Sequence, residues 1–365
     1  MRTIIHIGPH KTGSSAIQKW LLENRQHLIE EGVFYPPHEI DENGVSSGNF
    51  WNIAKLNSAS ELIVDNDKVE ALYLKARNAK CHTVLLSSEF FTKYLSKIHP
   101  YFSDALYIGY IRFGLEVIES GYNQGVKRHG RAEKFSLPKR SFSRTLRLLE
   151  QGIKKVGVSQ FIFRPYDQSL FEGKSIIADF LAAIDVTVSA DNLIVESEWV
   201  NTSYSPEGLE FKRWFNHYPL NDLQIRLDSF LQHEGSLKKQ KYSLLSQQEF
   251  ARCKANMLKH LNSFCAKYPV KDADKLLALC STYTQPRRVV QELPEEDFIK
   301  LLNEFIRYEN NNAEQLYLWV KNQSKKVIEE SHSKKFNTIN KSIPLSIKIR
   351  YEASYYKSKL LALLR

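Results

Sequence analysis

A glycine loop between a strand and a helix near the start of the chain constrains the fold more than any other feature. Residues Thr3 to Ile7 form a short, mostly β-branched run, which predicts a buried strand. The loop Gly8 to Ser15, GPHKTGSS, follows, and from Ser14 onward apolar residues recur at helical spacing. A loop in this position directs backbone N–H groups and the positive end of a helix dipole at one point. The segment predicts an anion-binding loop, and a tight strand–helix turn without a ligand is the alternative.

Strands alternate with helices through the first half of the chain. Buried strands are predicted at 83–87, 105–111 and 160–164, and helices at 68–80, 114–127 and 176–184. This alternation predicts an α/β fold with a P-loop-type parallel β-sheet flanked by helices. Functional residues of such sheets lie where strands end and helices begin, and Lys11, Glu89 and Arg112 all fall at that edge.

The second half of the chain has a mainly helical pattern. We predict an α/β core over 1–200, a helical extension over 201–330 that completes the same domain, and a basic tail over 331–365. The net charge is +10, of which the tail supplies +7 from eight basic residues and one acidic residue. The body is therefore nearly balanced in charge, and no nucleic-acid partner is expected.

The basic tail has three interpretations. It is predicted to hold a final helix at about 346–364, and its leucines and tyrosines suit a helix packed on the body or on a second subunit. A solvated end and a membrane-surface helix are the other two. Packing or solvation is favoured over membrane contact, and the oligomeric state stays open.

Cysteine usage and hydropathy bear on the compartment. The four cysteines include no C-x-x-C pair and have no zinc spacing, which favours a reducing compartment and predicts no metal site. The N-terminal apolar run is too short for a signal peptide, and no stretch approaches the ~20 apolar residues that span a bilayer. The expected location is cytoplasmic, with peripheral contact at the inner membrane face through the tail as an option.

The loop departs from the nucleotide-binding P-loop in one position. Gly8 and Gly13 keep the spacing of the Walker A frame, and Ser15 occupies its Ser/Thr position, but Ser14 stands where the lysine should be. The lysine lies inside the loop instead, as Lys11. An NTPase needs its lysine on the β- and γ-phosphates together with a magnesium ion. A lysine inside the loop suits a donor with a single 5′-phosphate and a sulfuryl group, without a metal.

The sequence around this loop resembles that of a known family. IIHIGPHKTGSSAIQKWL looks like the 5′-phosphosulfate-binding loop of the superfamily of sulfotransferases that use 3′-phosphoadenosine 5′-phosphosulfate (PAPS), particularly bacterial enzymes resembling carbohydrate sulfotransferases. Lys11, Gly13, Ser14 and Ser15 match the family motif, and Gly8 and Thr12 complete the loop. The resemblance implies that Lys11 contacts the leaving phosphate and that adenosine 3′,5′-bisphosphate is a product.

A second motif suits the 3′-phosphate of PAPS. Arg112 ends a predicted strand and Ser120 lies eight residues later on the next helix, as in the family's 3′-phosphate motif. An arginine can donate two parallel hydrogen bonds to a phosphate, and a serine adds a third. The Arg-Lys-Gly-rich loop with which cytosolic small-molecule sulfotransferases close over PAPS has no counterpart here. Arg287 and Arg288 are a candidate substitute, although a solvated surface pair is favoured.

Sulfuryl transfer to a hydroxyl also needs a base within hydrogen-bond reach of the acceptor. Glu89, directly after a predicted strand, is the first candidate, and a carboxylate that caps the next helix is its structural alternative. His10, inside the loop, is the second candidate. The resemblance implies a carbohydrate acceptor in a cell-surface glycan, sulfated on a hydroxyl or an amine. A P-loop nucleotide kinase or NTPase and a non-catalytic anion-binding protein are the alternative functions.

Overall fold

The structure is a computed structural model of the chain. It describes residues 1–9, 11–39, 46, 48–137, 143–187, 204–233, 241–323 and 330–353. The chain forms two compact units, each built from three stretches. The first unit comprises Met1–Glu119, Leu137–Val200 and Leu245–Gln285, and the second comprises Ser120–Ser136, Asn201–Leu244 and Pro286–Arg365.

A five-stranded parallel sheet forms the centre of the first unit, in the order β2-β5-β1-β6-β7. The strands are β1 (Arg2–His6), β2 (Val33–Phe34), β3 (Ala54–Leu56), β4 (Leu62–Val64), β5 (Thr83–Ser87), β6 (Leu106–Ile111), β7 (Phe161–Pro165), β8 (Tyr242–Ser243) and β9 (Arg287–Arg288). In the register of the sheet, Ile4 of β1 lies opposite Leu85 on one side and Leu106 on the other. The first strand is therefore central, and the loop that follows it lies between the ends of β5 and β6.

Helices flank this sheet and build most of the second unit. They are α1 (Ser14–Glu23), α2 (Arg25–Glu30), α3 (Asn66–Asn78), α4 (Phe90–Ile98), α5 (Gly114–Arg128), α6 (Arg144–Val156), α7 (Ile176–Ala183), α8 (Pro206–Phe215), α9 (Leu223–His233), α10 (Gln247–Lys267), α11 (Ala273–Thr282), α12 (Glu295–Tyr308), α13 (Asn312–Gln323) and α14 (Glu330–Ser342). A further helical stretch runs from 345 to the end of the described chain at 353. The predicted α/β class with a parallel sheet and a mainly helical C-terminal half is confirmed.

The first unit buries its apolar residues between the sheet and the helices that follow the strands. Ile4, Leu85 and Ile108 of the sheet lie in one core with Leu21 of α1 and Phe180 of α7. The strands are apolar on both faces, as expected for a parallel sheet covered by helices. Each fully buried side chain of this size contributes roughly 1.5–3 kcal/mol to the free energy of unfolding.

The second unit has a core rich in aromatic rings. Phe211 and Phe215 of α8 pack with Phe298 of α12, and Trp319 of α13 stacks on Phe336 of α14 with ring centroids 5.4 Å apart. Ile339 and Ile343 are buried in the same core. The described beginning of the basic tail is therefore packed within the second unit, whereas residues 354–365 lie outside the described residues.

The predicted strands and the helices predicted at 68–80, 114–127 and 176–184 agree with the structure to within two residues. The strand predicted at 83–87 coincides with β5, and those predicted at 105–111 and 160–164 differ from β6 and β7 by one residue. The helix predicted from Ser14 onward is broken at Asn24, whose side-chain and backbone N–H groups both donate to the Trp20 carbonyl. Sequence periodicity missed the antiparallel hairpin of β3 and β4, because its three-residue strands are too short to show alternation.

The predicted domain boundaries at 200 and 330 stay predictions. The first unit also includes Leu245–Gln285, which carries α10 and α11. None of the four cysteines forms a disulfide. No helix in the described part of the chain is both long enough and apolar enough to cross a membrane.

Candidate functional site

The glycine loop lies at the carboxyl edge of the sheet, directly after the central strand. The Ile7 amide donates to the Ile108 carbonyl of β6 at 2.9 Å, and the Ser88 amide beyond β5 donates to the His6 carbonyl at 3.2 Å. Helix α1 then begins at Ser14, with Gly13 as its N-cap. Ligands of parallel α/β sheets bind at this edge, where neighbouring strands leave a crevice.

Both glycines of the loop are required by its backbone. Gly8 has a φ of +42° and Gly13 a φ of +77°, which L side chains rarely adopt. A Cβ on Gly8 would lie 3.0 Å from the Ser14 hydroxyl and 3.4 Å from the Glu89 amide nitrogen. A Cβ on Gly13 would lie 3.2 Å from Tyr166 and from Ile176. The loop is thus closely packed against the ends of β5 and β7.

The start of α1 presents hydrogen-bond donors. Among the described residues, no side chain caps this helix, and the first N–H groups of any helix lack intrahelical partners. Ser14 is 3% exposed, and its hydroxyl has no hydrogen-bond partner among the described residues. The Thr12 hydroxyl donates to the Pro9 carbonyl within the loop, and Ser15 is half-buried in the first turn of α1. An orphaned hydroxyl at a helix N-terminus suits an anionic ligand such as a phosphate.

Lys11 links the loop to the neighbouring strand. It is half-buried, and its φ of +67° places a non-glycine residue in the left-handed region, which costs on the order of 1–3 kcal/mol. Its carbonyl accepts a hydrogen bond from the Arg112 guanidinium at 2.6 Å. Two residues that the sequence predicts from separate motifs are therefore in direct contact.

Arg112 follows β6 and is held on three sides. Its Nε donates to the Glu116 carboxylate at 3.0 Å, and its guanidinium lies 5.1 Å from the ring centroid of Tyr166. Both side chains of the Arg112–Glu116 pair are about a fifth exposed, at 22% and 23%. Sequence reasoning missed Glu116 and Tyr166. The spacing of four residues from Arg112 was the available signal for Glu116, whereas Tyr166 comes from the distant end of β7.

Ser120 lies on α5 and is half-buried. It belongs to the second unit, whereas Arg112 belongs to the first. Its predicted cooperation with Arg112 in binding one phosphate stays a prediction.

Glu89 lies between β5 and α4, with its backbone nitrogen beside Gly8. Its side chain is half-buried and makes no capping hydrogen bond to α4. The hydroxyl of Ser88 accepts from the Phe90 amide at 3.2 Å instead. Glu89 therefore does not cap α4 through a side-chain hydrogen bond, and its role as the base stays a prediction.

Buried polar side chains fix the end of β5 beneath the loop. His6 Nδ1 lies 2.8 Å from the Ser87 hydroxyl, and burial lowers the pKa of His6 to about 3, so its imidazole is neutral at physiological pH. The side-chain oxygen of Asn49 accepts from the Ser87 backbone N–H at 2.8 Å, and the Asn49 backbone N–H donates to the Ser87 carbonyl at 3.0 Å. Gly48 approaches so closely that a Cβ would lie 1.9 Å from that carbonyl. These contacts fix the segment around residue 49 against the site.

An exposed aromatic pair includes Phe90, the residue that follows Glu89 in the sequence. Trp51 is 44% exposed and Phe90 is 37% exposed, with ring centroids 6.2 Å apart. The buried Phe50 packs against both rings, at 5.6 and 5.4 Å. Exposed rings that buried neighbours hold in place are typical of a ligand-binding surface.

Three further sequence candidates have different outcomes. His10 lies outside the described residues. Arg287 and Arg288 are exposed on β9 in the second unit, in line with a solvated pair. Within the described ranges, no group of three or more His, Cys, Asp or Glu residues could hold a metal ion.

Comparisons with protein-family models, with curated proteins and with solved structures found no match to this chain. The site combines a strained glycine loop, an orphaned hydroxyl, a lysine, an arginine and a half-buried carboxylate at one edge of a parallel sheet. Such a set can bind an anion and can also accept a proton.

Proposed function

We propose that this chain is a PAPS-dependent sulfotransferase whose P-loop-type donor site is the loop from Gly8 to Ser15. The hydrogen bond of 2.6 Å from Arg112 to the Lys11 carbonyl carries the proposal, because it joins two separately predicted anion-binding motifs. PAPS bears one anionic group on its 5′ oxygen and another on its 3′ oxygen. Two neighbouring cationic residues at the edge of a parallel sheet suit such a ligand.

The loop would receive the 5′-phosphosulfate. The backbone N–H groups of Gly13, Ser14 and Ser15 and the Ser14 hydroxyl would bind its oxygens, since these donors meet at the start of α1. The ammonium group of Lys11 would stabilise the charge that develops on the bridging oxygen as the sulfuryl group leaves. Gly8 and Thr12 would hold the loop in this conformation.

Arg112 would bind the 3′-phosphate. A guanidinium has five N–H donors, and the bonds to Glu116 and to the Lys11 carbonyl use Nε and Nη1. These two bonds fix the plane of the guanidinium and so prepare it for a phosphate.

The reaction would proceed in line. The acceptor oxygen forms a bond to sulfur while the bond between sulfur and the bridging phosphate oxygen breaks, and adenosine 3′,5′-bisphosphate leaves with the electron pair. The proton of the acceptor passes to the base, for which Glu89 is the first candidate and His10 the second. The reaction needs no metal, because Lys11 and the backbone amides provide the positive charge.

The acceptor would be a carbohydrate hydroxyl, or an amine, of a cell-surface glycan. Trp51 and Phe90 support a sugar because their exposed rings offer an apolar face beside Glu89. The cytoplasmic location, with peripheral membrane contact through the tail, is part of the same proposal.

A transfer assay tests the function. Protein is incubated with ³⁵S-labelled PAPS and a panel of neutral and acidic polysaccharides in EDTA, and label on the polysaccharide is measured. Label on at least one polysaccharide is expected. Magnesium-dependent ATP hydrolysis without label would favour the kinase or NTPase alternative, and nucleotide binding without turnover of any kind would favour a non-catalytic protein.

The choice of base is tested with Glu89→Gln. This variant keeps the size of the side chain but cannot accept the proton, so kcat should fall by about 10²–10⁴-fold while PAPS binding is retained. Steady-state kinetics with the best acceptor provide the measurement. A normal kcat in Glu89→Gln together with a large loss in His10→Ala would transfer the role to His10.

A further inference from the structure

The second unit contains a cavity of about 560 Å³ near the turn between α8 and α9. Its polar lining side chains are Arg128, Asn216, His217, Tyr218, Asn221 and Gln224. The turn is well fixed, because the Pro219 carbonyl accepts from the indole N–H of Trp319 at 2.9 Å. Pockets of this volume are typical of small-molecule sites.

Two amide side chains of the wall are held in fixed orientations. Asn216 Nδ2 donates to the carbonyls of Val126 at 2.7 Å and Arg131 at 2.9 Å, and Gln224 Nε2 donates to the Lys127 carbonyl at 2.7 Å. Their two oxygens both accept from the Lys212 ammonium, at 2.7 Å in the case of Gln224. These hydrogen bonds therefore fix the orientations of both amide side chains without a ligand.

Lys212 is fully buried behind this wall, at 0% exposure. Burial lowers the pKa of its ammonium to about 7, although the Asp228 carboxylate opposes this shift. A lysine is almost never buried without a paired charge. Here its hydrogen bonds go to neutral amide oxygens, so its charge is not cancelled by direct contact.

The buried charges around the cavity are unequal. Asp228 lies 3.1 Å from Arg128 and 3.9 Å from Lys127, and it also accepts a hydrogen bond from Tyr204. Lys127 and Arg128 of α5 thus both face the Asp228 carboxylate, and Lys212, whose pKa is lowered to about 7, adds a positive charge when it is protonated. The cluster has an excess of positive charge next to a cavity of suitable size, which favours an anionic occupant.

We propose that this cavity binds the oxyanion of a small acidic molecule, a sulfate ester, a phosphate ester or a carboxylate, with Arg128 as the direct contact. Lys212 acts from behind the wall by polarising Asn216 and Gln224 and by adding positive charge. Asn221 and His217 at the rim suit the hydroxyl groups of a sugar that carries the anion. This site does not depend on the proposed transfer activity, since all of its residues belong to the second unit.

Calorimetric titration with inorganic sulfate tests the site, because the charge of sulfate does not change near neutral pH. The titrations use the Lys11→Ala background, so that binding at the glycine loop is weakened. Arg128→Gln in that background should reduce sulfate affinity about ten- to hundredfold, since a hydrogen bond to a charged group is lost. The matched control is Arg307→Gln, which removes the same charge from an exposed position of the same unit and should leave the affinity unchanged.

Further titrations distinguish the class of ligand, and a second variant tests the site if the first variant does not fold. Glucose 6-sulfate or glucuronate binding tighter than sulfate would assign the site to an acidic sugar, whereas sulfate binding as tightly would assign it to a free oxyanion. Asn221→Gly preserves the left-handed backbone at this position, where φ is +48°, and should weaken the sugar ligands if Arg128→Gln does not fold. Equal affinity for neutral glucose, equal sulfate binding in Arg128→Gln and its background, or no binding of any probe would overturn the proposal.

Discussion

The two proposed anion sites, one in each unit, are built in different ways. In the first unit, the proposed site is one continuous segment, Gly8 to Ser15, whose proposed donors are largely backbone N–H groups. Its conformation requires positive φ angles, which glycine adopts readily. In the second unit, the cavity draws on α5, on α8 and on the turn before α9, and its positive charge comes from buried side chains. A backbone site leaves a mark in the sequence because few residues tolerate its geometry, whereas a side-chain site depends on packing that sequence spacing does not show.

Lys11→Ala should have the largest effect on activity of the variants considered, and it tests the proposed site of the first unit. Loss of the charge that stabilises the leaving group should lower the transfer rate by about 10²–10³-fold, as when one preorganised donor is removed from an active site. Single-turnover kinetics with saturating PAPS provide the measurement. Lys19→Ala removes a partly exposed lysine from α1 and should retain the rate of the unaltered protein. Normal kinetics in Lys11→Ala would remove the loop from the mechanism.

Arg112→Ala should affect binding rather than the chemical step. The loss of charge-assisted hydrogen bonds should weaken the binding of adenosine 3′,5′-bisphosphate about ten- to hundredfold. Calorimetry measures the affinity, and Arg144→Ala, an exposed arginine of the first unit, is the control. If both variants bind the bisphosphate equally well, Arg112 does not contact the 3′-phosphate.

Gly13→Ala tests whether backbone geometry limits the loop. The substitution adds a Cβ at a positive φ, 3.2 Å from Tyr166 and Ile176, and should lower the free energy of unfolding by about 2–3 kcal/mol. Gly130→Ala is the matched control, because it has a φ of +63° but no atom within 4 Å of the added Cβ. It should cost about 1 kcal/mol, from backbone strain alone. Urea unfolding of both variants measures the difference, and equal losses would show that crowding at Gly13 is unimportant.

Lys212→Met should have the smallest effect and probes the buried charge of the second unit. The pKa of Lys212 is lowered from 10.5 to about 7, so between these values the unfolded chain binds more protons than the folded one. Stability must therefore rise with pH in this window, by about 1 kcal/mol between pH 7 and pH 8. The charged side chains of Asp228, Lys127 and Arg128 lie in the same cluster.

The Lys212→Met variant should lose this part of the pH dependence. Urea unfolding at pH 7 and pH 8 gives the difference for each protein, and Arg307→Gln serves again as the control because it retains Lys212. The same increase in all three proteins would show that Lys212 is not the group that titrates.

Much of the first unit was predictable from sequence for a physical reason. Short apolar strands such as β5 end abruptly at polar residues, so the edge that holds Lys11, Glu89 and Arg112 could be located. The contact between Lys11 and Arg112 was not predictable in detail, because it depends on how β1 and β6 pair. Glu116 had a weak signal in its spacing from Arg112.

The cavity of the second unit could not be found in this way. Lys212 lies in an amphipathic helix, α8, where a lysine is ordinarily exposed, and its burial results from contacts with Asn216 and Gln224. Sequence patterns also did not predict that α10 and α11 belong to the first unit. In the chain, a segment of the second unit, Asn201–Leu244, separates these helices from the rest of the first unit. Sequence patterns report local periodicity, whereas these features arise from long-range packing.

The most direct test of the central claim is a calorimetric titration with adenosine 3′,5′-bisphosphate in EDTA, with ATP as comparator. A PAPS-dependent site predicts micromolar binding of the bisphosphate without a metal and no binding of ATP. Failure of the bisphosphate to bind, or a preference for ATP that requires magnesium, would contradict the proposed function and favour a kinase or NTPase.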